Sequence, residues 1–140
     1  MTDIRPILLV DDNPMDVDLT LLAFKHHKLP NPIEVARDGE EALAWIPRWE
    51  AGETKPAVIL LDINMPKIGG LEVLRQLKSH ATLHTIPVVM LTTSAVAEDV
   101  DAAYARGANS YIVKPVDFDK FTALVMQIQL YWATLNVPPN

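Results

Sequence analysis

The chain has 140 residues, with 12 Lys and Arg against 18 Asp and Glu, a formal charge of −6 with the histidines neutral, and no cysteine. At 49% hydrophobic and 21% charged residues it reads as one globular domain over residues 1–140 that folds alone, not as a disordered acidic segment. Disulfides, thiolate metal sites and cysteine nucleophiles are excluded; an acidic chain without a Lys/Arg-rich run argues against nucleic-acid binding, and the absence of a leader over Met1 to Pro6 or of an apolar run of roughly 18 residues leaves a cytoplasmic, membrane-free protein as the expectation.

Ile7 to Val10 is a short apolar run without alternation, the signature of a strand covered on both faces. Asn13-Pro14 then reads as an N-cap followed by proline at the first helical position, and Val17, Leu21 and Phe24 mark the buried face of the helix. His26 and His27 fall near its end, where they interact favourably with the helix dipole. After the breakers Pro30-Asn31-Pro32 comes a shorter strand at Ile33 to Val35, then a helical face of Ala42, Leu43 and Ile46 and a surface connection at Pro47 to Pro56. Val58 to Leu61 is the third strand, and Leu71, Leu74 and Leu77 mark the third helix. His80 and His84 are expected to be exposed in a surface connection that includes Ala81 to Pro87. Val88 to Leu91 is the fourth strand, Val100, Ala103 and Tyr104 a weaker helical face stopped at Gly107, and Tyr111 to Val113 the fifth strand. Pro138-Pro139-Asn140 reads as a frayed end. Five alternations of strand and helix predict an α/β domain with a mainly parallel sheet and right-handed crossovers.

Ligands of open α/β sheets sit at the carboxyl ends of the strands, and the residues there share one chemistry. The first strand ends in Asp11-Asp12, the third in Asp62, the fourth in Thr92-Thr93-Ser94 and the fifth in Lys114-Pro115. Crowded carboxylates repel one another, and a divalent cation relieves that repulsion. An all-oxygen cluster without imidazole or thiolate suits Mg²⁺. With the Lys114 charge and the Thr92 hydroxyl opposite, such a site can hold a phosphoryl group and stabilise its transfer onto Asp62.

LLVDDNP, LLDINMP with Gly69-Gly70, VVMLTTS and YIVKP, in that order at four strand ends, resemble the receiver domain of two-component response regulators. The resemblance implies a doubly wound flavodoxin-like (βα)5 fold with a central parallel sheet of order 2-1-3-4-5. It makes Asp62 the phosphoacceptor for a histidine kinase, Asp12 a direct Mg²⁺ ligand, Asp11 its companion through water, and Asn64 the donor of a backbone carbonyl to the metal. Thr92 and Lys114 take the places of the family's phosphate-sensing hydroxyl and lysine, and Tyr111 that of its switch aromatic. The peptide into Pro115 is expected to be cis. A finer resemblance, carried by the Pro47 to Pro56 loop, the Thr82-to-Pro87 lead and the Tyr131-Trp132 pair, is to the single-domain regulators that partner cyanobacterial phytochrome kinases. It implies no output domain, a phytochrome-type sensor kinase as partner, and a signalling protein whose only catalysis is on its own phosphoryl group.

Three other readings compete. A haloacid-dehalogenase-like phosphatase needs a second acid two residues past the nucleophile, where this chain has Asn64; a flavin binder would meet repulsion between its phosphate and Asp11-Asp12; a constitutive dimerisation module has no use for the full acidic set. No residue from Phe121 onward is charged, although a surface helix normally has a charged outer face. Phe121, Leu124, Val125, Ile128 and Trp132 suffice to cover the sheet, with Gln127, Gln129 and Thr134 as uncharged surface residues. That leaves Met126, Leu130, Tyr131 and Ala133 outside as a candidate two-fold homodimer or partner interface.

Overall fold

Where a run of apolar residues is unbroken, the sheet is covered on both sides. The computed structural model describes residues 4–139. Strands β1 (Ile7–Val10), β3 (Val58–Leu61) and β4 (Val88–Thr92) are buried at every position, while β2 (Ile33–Ala36) and β5 (Ser110–Val113) are partly open to solvent. The last two are the sheet edges, since the order is β2-β1-β3-β4-β5 with every pairing parallel. The doubly wound fold and the strand order are those expected.

Alternate side chains of each strand enter two separate apolar layers, as the two-residue period of a strand requires. Ile7, Leu9, Val58, Leu60, Val89 and Leu91 pack against Val17 and Phe24 of helix α1 (Pro14–His26) and Phe121, Val125 and Ile128 of a helix near the C-terminal end. Leu8, Val10, Ile59, Leu61, Val88 and Met90 pack on the opposite face against helices α2 (Gly39–Leu43), α3 (Trp45–Glu50), α4 (Gly70–Lys78) and α5 (Ala97–Ala105). The helix near the end, α6 (Phe118–Ile128), runs directly into a π-helical segment at Gln129–Leu135. Among the described residues no helix is long and apolar enough to cross a membrane.

Asn13 caps α1 as expected, its Oδ1 accepting from the backbone N–H groups of Met15 and Asp16, with Pro14 as the first helical residue. Gly107 stops α5 in the left-handed region at φ +98°, and the Ala108 N–H returns to the Ala103 carbonyl.

Several expectations need correction. The segment from Pro47 is not wholly a surface loop: α3 covers Trp45–Glu50 and buries Trp49 against the sheet, stacked on Trp45 at 5.9 Å. The second helical stretch is divided at Ala44 because Pro47 has no N–H to give the Leu43 carbonyl and its ring would strike it. The 81–87 connection contains a 3₁₀ turn, Leu83–Thr85, and buries Leu83 and Ile86. His80 is not free in solvent; its Nδ1 accepts from the N–H groups of Thr82 and Leu83 while Nε2 lies 2.8 Å from Glu50. Tyr104 is exposed instead of buried, and Ala133 packs on the core instead of outside it. Gln129 is buried, its amide donating to Asn31 Oδ1 and Thr134 Oγ1. Pro138 is half-buried, and Asn140 and Met1 to Asp3 lie outside the described residues.

A candidate phosphoryl and metal site at the strand ends

Parallel pairing in this register sets the strand ends side by side. Val10 pairs with Leu61, so the next residues, Asp11 and Asp62, are neighbours; Thr92 pairs with Val113, and the Lys114 N–H donates to the Thr92 carbonyl at 2.7 Å. Gly70 lets the loop after Asp62 close tightly, because a Cβ there would collide with the Asp62 carbonyl oxygen, while the Gly70 N–H donates to the Ile63 carbonyl.

The Lys114 side chain reaches across from β5. Its Nζ donates to Asp11 Oδ2 at 2.7 Å, Asp16 Oδ2 at 2.8 Å and Asp62 Oδ2 at 3.2 Å. Lys114, Asp11 and Asp62 are buried. Burial pushes the Asp11 carboxyl up, against the lowering effect of Lys114 and of the Asn13 N–H that donates to its Oδ1 at 2.9 Å. Burial also works to lower the Lys114 pKa, but hydrogen bonds to Asp11 and Asp16 and the charges of Asp11 and Asp62 outweigh it and hold the ammonium above the ordinary lysine value.

Carboxylate oxygens of Asp11, Asp12 and Asp62 lie within 4.8 Å of one another, with Asp12 exposed and the other two buried. This donor set, all oxygen and open to water on the Asp12 side, fits a hard divalent cation that keeps part of its hydration. Asn64 is exposed two residues beyond Asp62, with its N–H 3.4 Å from Asp62 Oδ1. Thr92 is fully buried, its Oγ1 accepting from the Ser94 N–H at 3.3 Å. The Tyr111 hydroxyl donates to the Ser94 carbonyl at 2.8 Å, and burial pushes its pKa up. Asp11, Asp12, Asp62, Thr92 and Lys114 therefore converge at one end of the sheet, and Tyr111 joins them through Ser94.

Two points differ from the sequence reading. The peptide into Pro115 is trans; an X–Pro bond separates its isomers by only about 0.5–1 kcal/mol, so local packing decides between them. Asp16 was not among the expected site residues, because an acid in the first turn of a helix reads as a complement to the helix dipole. Its position one turn beyond Asp11-Asp12 was the available signal.

Comparison with known proteins agrees with this geometry. Residues 7–126 match the response regulator receiver domain family. The probable methanogenesis regulatory protein FilR2 of Methanothrix harundinacea is 40% identical over 96% of this chain and 87% of its own. Response regulator Rcp1 of Synechocystis is 36% identical over 96% of this chain and 93% of its own, and its Mn(2+)-bound crystal structure superposes with a TM-score of 0.86. The crystal structure of the phosphorylated cyanobacterial phytochrome response regulator RcpA is 35% identical, with a TM-score of 0.90 over 99% of this chain and all of that one.

Removing the Lys114 ammonium, which bonds Asp11, Asp16 and Asp62 together, leaves buried charge uncompensated. Lys114→Met should cost about 3–5 kcal/mol of stability in metal-free buffer, and millimolar Mg²⁺ should restore much of it. Urea unfolding with and without Mg²⁺ measures both; wild-type stability without metal would contradict this electrostatic reading.

Proposed function

Since the chain belongs to the response regulator receiver domain family, we propose that it is a phosphoacceptor switch in which Asp62 takes a phosphoryl group from a sensor histidine kinase in a Mg²⁺-dependent step. The observation that carries the proposal is the Lys114 ammonium, 3.2 Å from Asp62 Oδ2 and anchored on Asp11. That charge stands where negative charge builds up during transfer. An Asp62 carboxylate oxygen attacks phosphorus in line, and the P–N bond of phosphohistidine breaks. Its electron pair stays on the ring nitrogen, which leaves as neutral imidazole when the other nitrogen carries a proton. The product is an acyl phosphate. Asp11, Asp12, Asp62 and the Asn64 backbone carbonyl would hold Mg²⁺, which supplies charge neutralisation for the carboxylates and phosphoryl oxygens. The metal assignment is supported by the oxygen donor set and by the Mn(2+)-bound form of Rcp1.

In this reading Thr92 and Lys114 bind the phosphoryl oxygens. Thr92 moves toward them, and because Ser94 bonds both Thr92 and the Tyr111 hydroxyl, the movement alters Tyr111 packing on the face that carries α5. The output is an altered protein contact, and catalysis is confined to the protein's own acyl phosphate. A phytochrome-type kinase as donor is supported by the likeness to RcpA. Met126, Leu130 and Tyr131, each at least 43% exposed on the stretch from Phe121 onward that carries no charge, suit a contact between two copies of the chain.

Incubation with phosphoramidate, followed by intact-protein mass, should add one phosphoryl group to wild type only with Mg²⁺, and none to Asp62→Asn. Incorporation by the folded Asp62→Asn variant would sink the assignment. In sedimentation velocity the wild type should dimerise and Leu130→Glu should remain monomeric; equal behaviour of the two would remove the last helix from the interface.

A further inference from the structure

A lysine ammonium has three protons to donate, and here all three are already engaged by Asp11, Asp16 and Asp62. For Nζ to grip a phosphoryl oxygen while keeping its hold on the Asp62 carboxyl, the bond to Asp11 or the bond to Asp16 must give way. Asp11 is the least free to move: its side chain is 3% exposed and its second oxygen is fixed by the Asn13 N–H. Asp16 is the most free. Its side chain is 26% exposed and lines, with Met15, Leu19, Val116 and Phe118, an open groove of about 280 Å³.

Asp16 has no other evident task. It is the third residue of α1, the position from which an acidic side chain commonly reaches back to the N-cap N–H. That N–H, on Asn13, is already taken by Asp11. Nor is Asp16 part of the cluster of Asp11, Asp12 and Asp62 that brings carboxylate oxygens together; it faces the site from the lysine side.

We infer that Asp16 is a positioning residue that holds the Lys114 ammonium in reserve and competes with the phosphoryl group for it. Phosphorylation of Asp62 displaces Asp16 from Nζ, and the strength of the Asp16 bond sets how readily the site accepts phosphate. This rests on Asp62 being the acceptor.

The test follows phosphorylation by phosphoramidate with Mg²⁺, using intact mass. Asp16→Asn should be modified about tenfold faster than wild type, the worth of one charge-assisted hydrogen bond, and Asp16→Glu, which restores the carboxylate, should return toward the wild-type rate. In a Lys114→Gln background the Asp16→Asn gain should vanish, because the effect travels through the lysine. A gain of equal size without Lys114 would mean that Asp16 acts only by its field on the anionic donor, and no gain at all would mean a structural role; either overturns the inference. A crystal structure of the phosphorylated protein decides independently of the Lys114 variant. Nζ should have left Asp16 Oδ2 for a phosphoryl oxygen, and an intact Lys114–Asp16 bond there contradicts the proposal. Absence of any mass gain in wild type would instead overturn the acceptor reading and this inference with it.

Discussion

The Lys114 ammonium lies 2.7–3.2 Å from three carboxylates contributed by the ends of β1 and β3 and by the first turn of α1. Three carboxylates against one ammonium leave that group formally two charges negative, and Asp12 adds a third at its edge. Like charges this close in a partly dehydrated pocket repel strongly. Without a metal ion the pocket therefore depends on Lys114 to stay ionised, and it remains short of positive charge even then. A shortage of positive charge at a rigid, oxygen-lined site favours a divalent cation.

The fold exists in a form that can sustain this strain. β1, β3 and β4 are buried at every residue, with apolar layers on both faces, so the strand ends cannot drift apart to relieve repulsion. Glycine at position 70 allows the loop beyond Asp62 to close, and the Asn13 cap fixes the start of α1, which carries Asp16. Tyr111 and Ser94 join the site to the α5 side of the sheet through bonds of 2.6–2.8 Å, including Ser94 Oγ to Asp99. The same architecture holds charge at one end and exposes on its flank the stretch from Phe121 onward, in which no residue is charged.

Much of this was legible in the sequence, for physical reasons. A strand covered on both faces must be apolar at consecutive positions, which made β1, β3 and β4 readable, and a ligand-binding α/β sheet concentrates its chemistry where those runs end. What depended on distant partners was not readable. Gln129 is polar and was expected at the surface, yet its amide is satisfied by Asn31, 98 positions away. Pro47 looked like the start of a loop, but a proline in the first turn of a helix gives up an N–H that would be unpaired there anyway, and α3 goes on to bury Trp49. Asp16 was not singled out, because nothing in the local sequence says that a lysine 98 positions later arrives beside it.

The most direct measurement is ¹⁵N NMR of the Lys114 side chain across a pH titration. Three carboxylate partners predict an ammonium whose protons exchange slowly with water and which stays charged beyond the pH at which an ordinary lysine has lost its proton. A Lys114 signal that exchanges at the rate of a free lysine and titrates at or below the ordinary value would contradict the account.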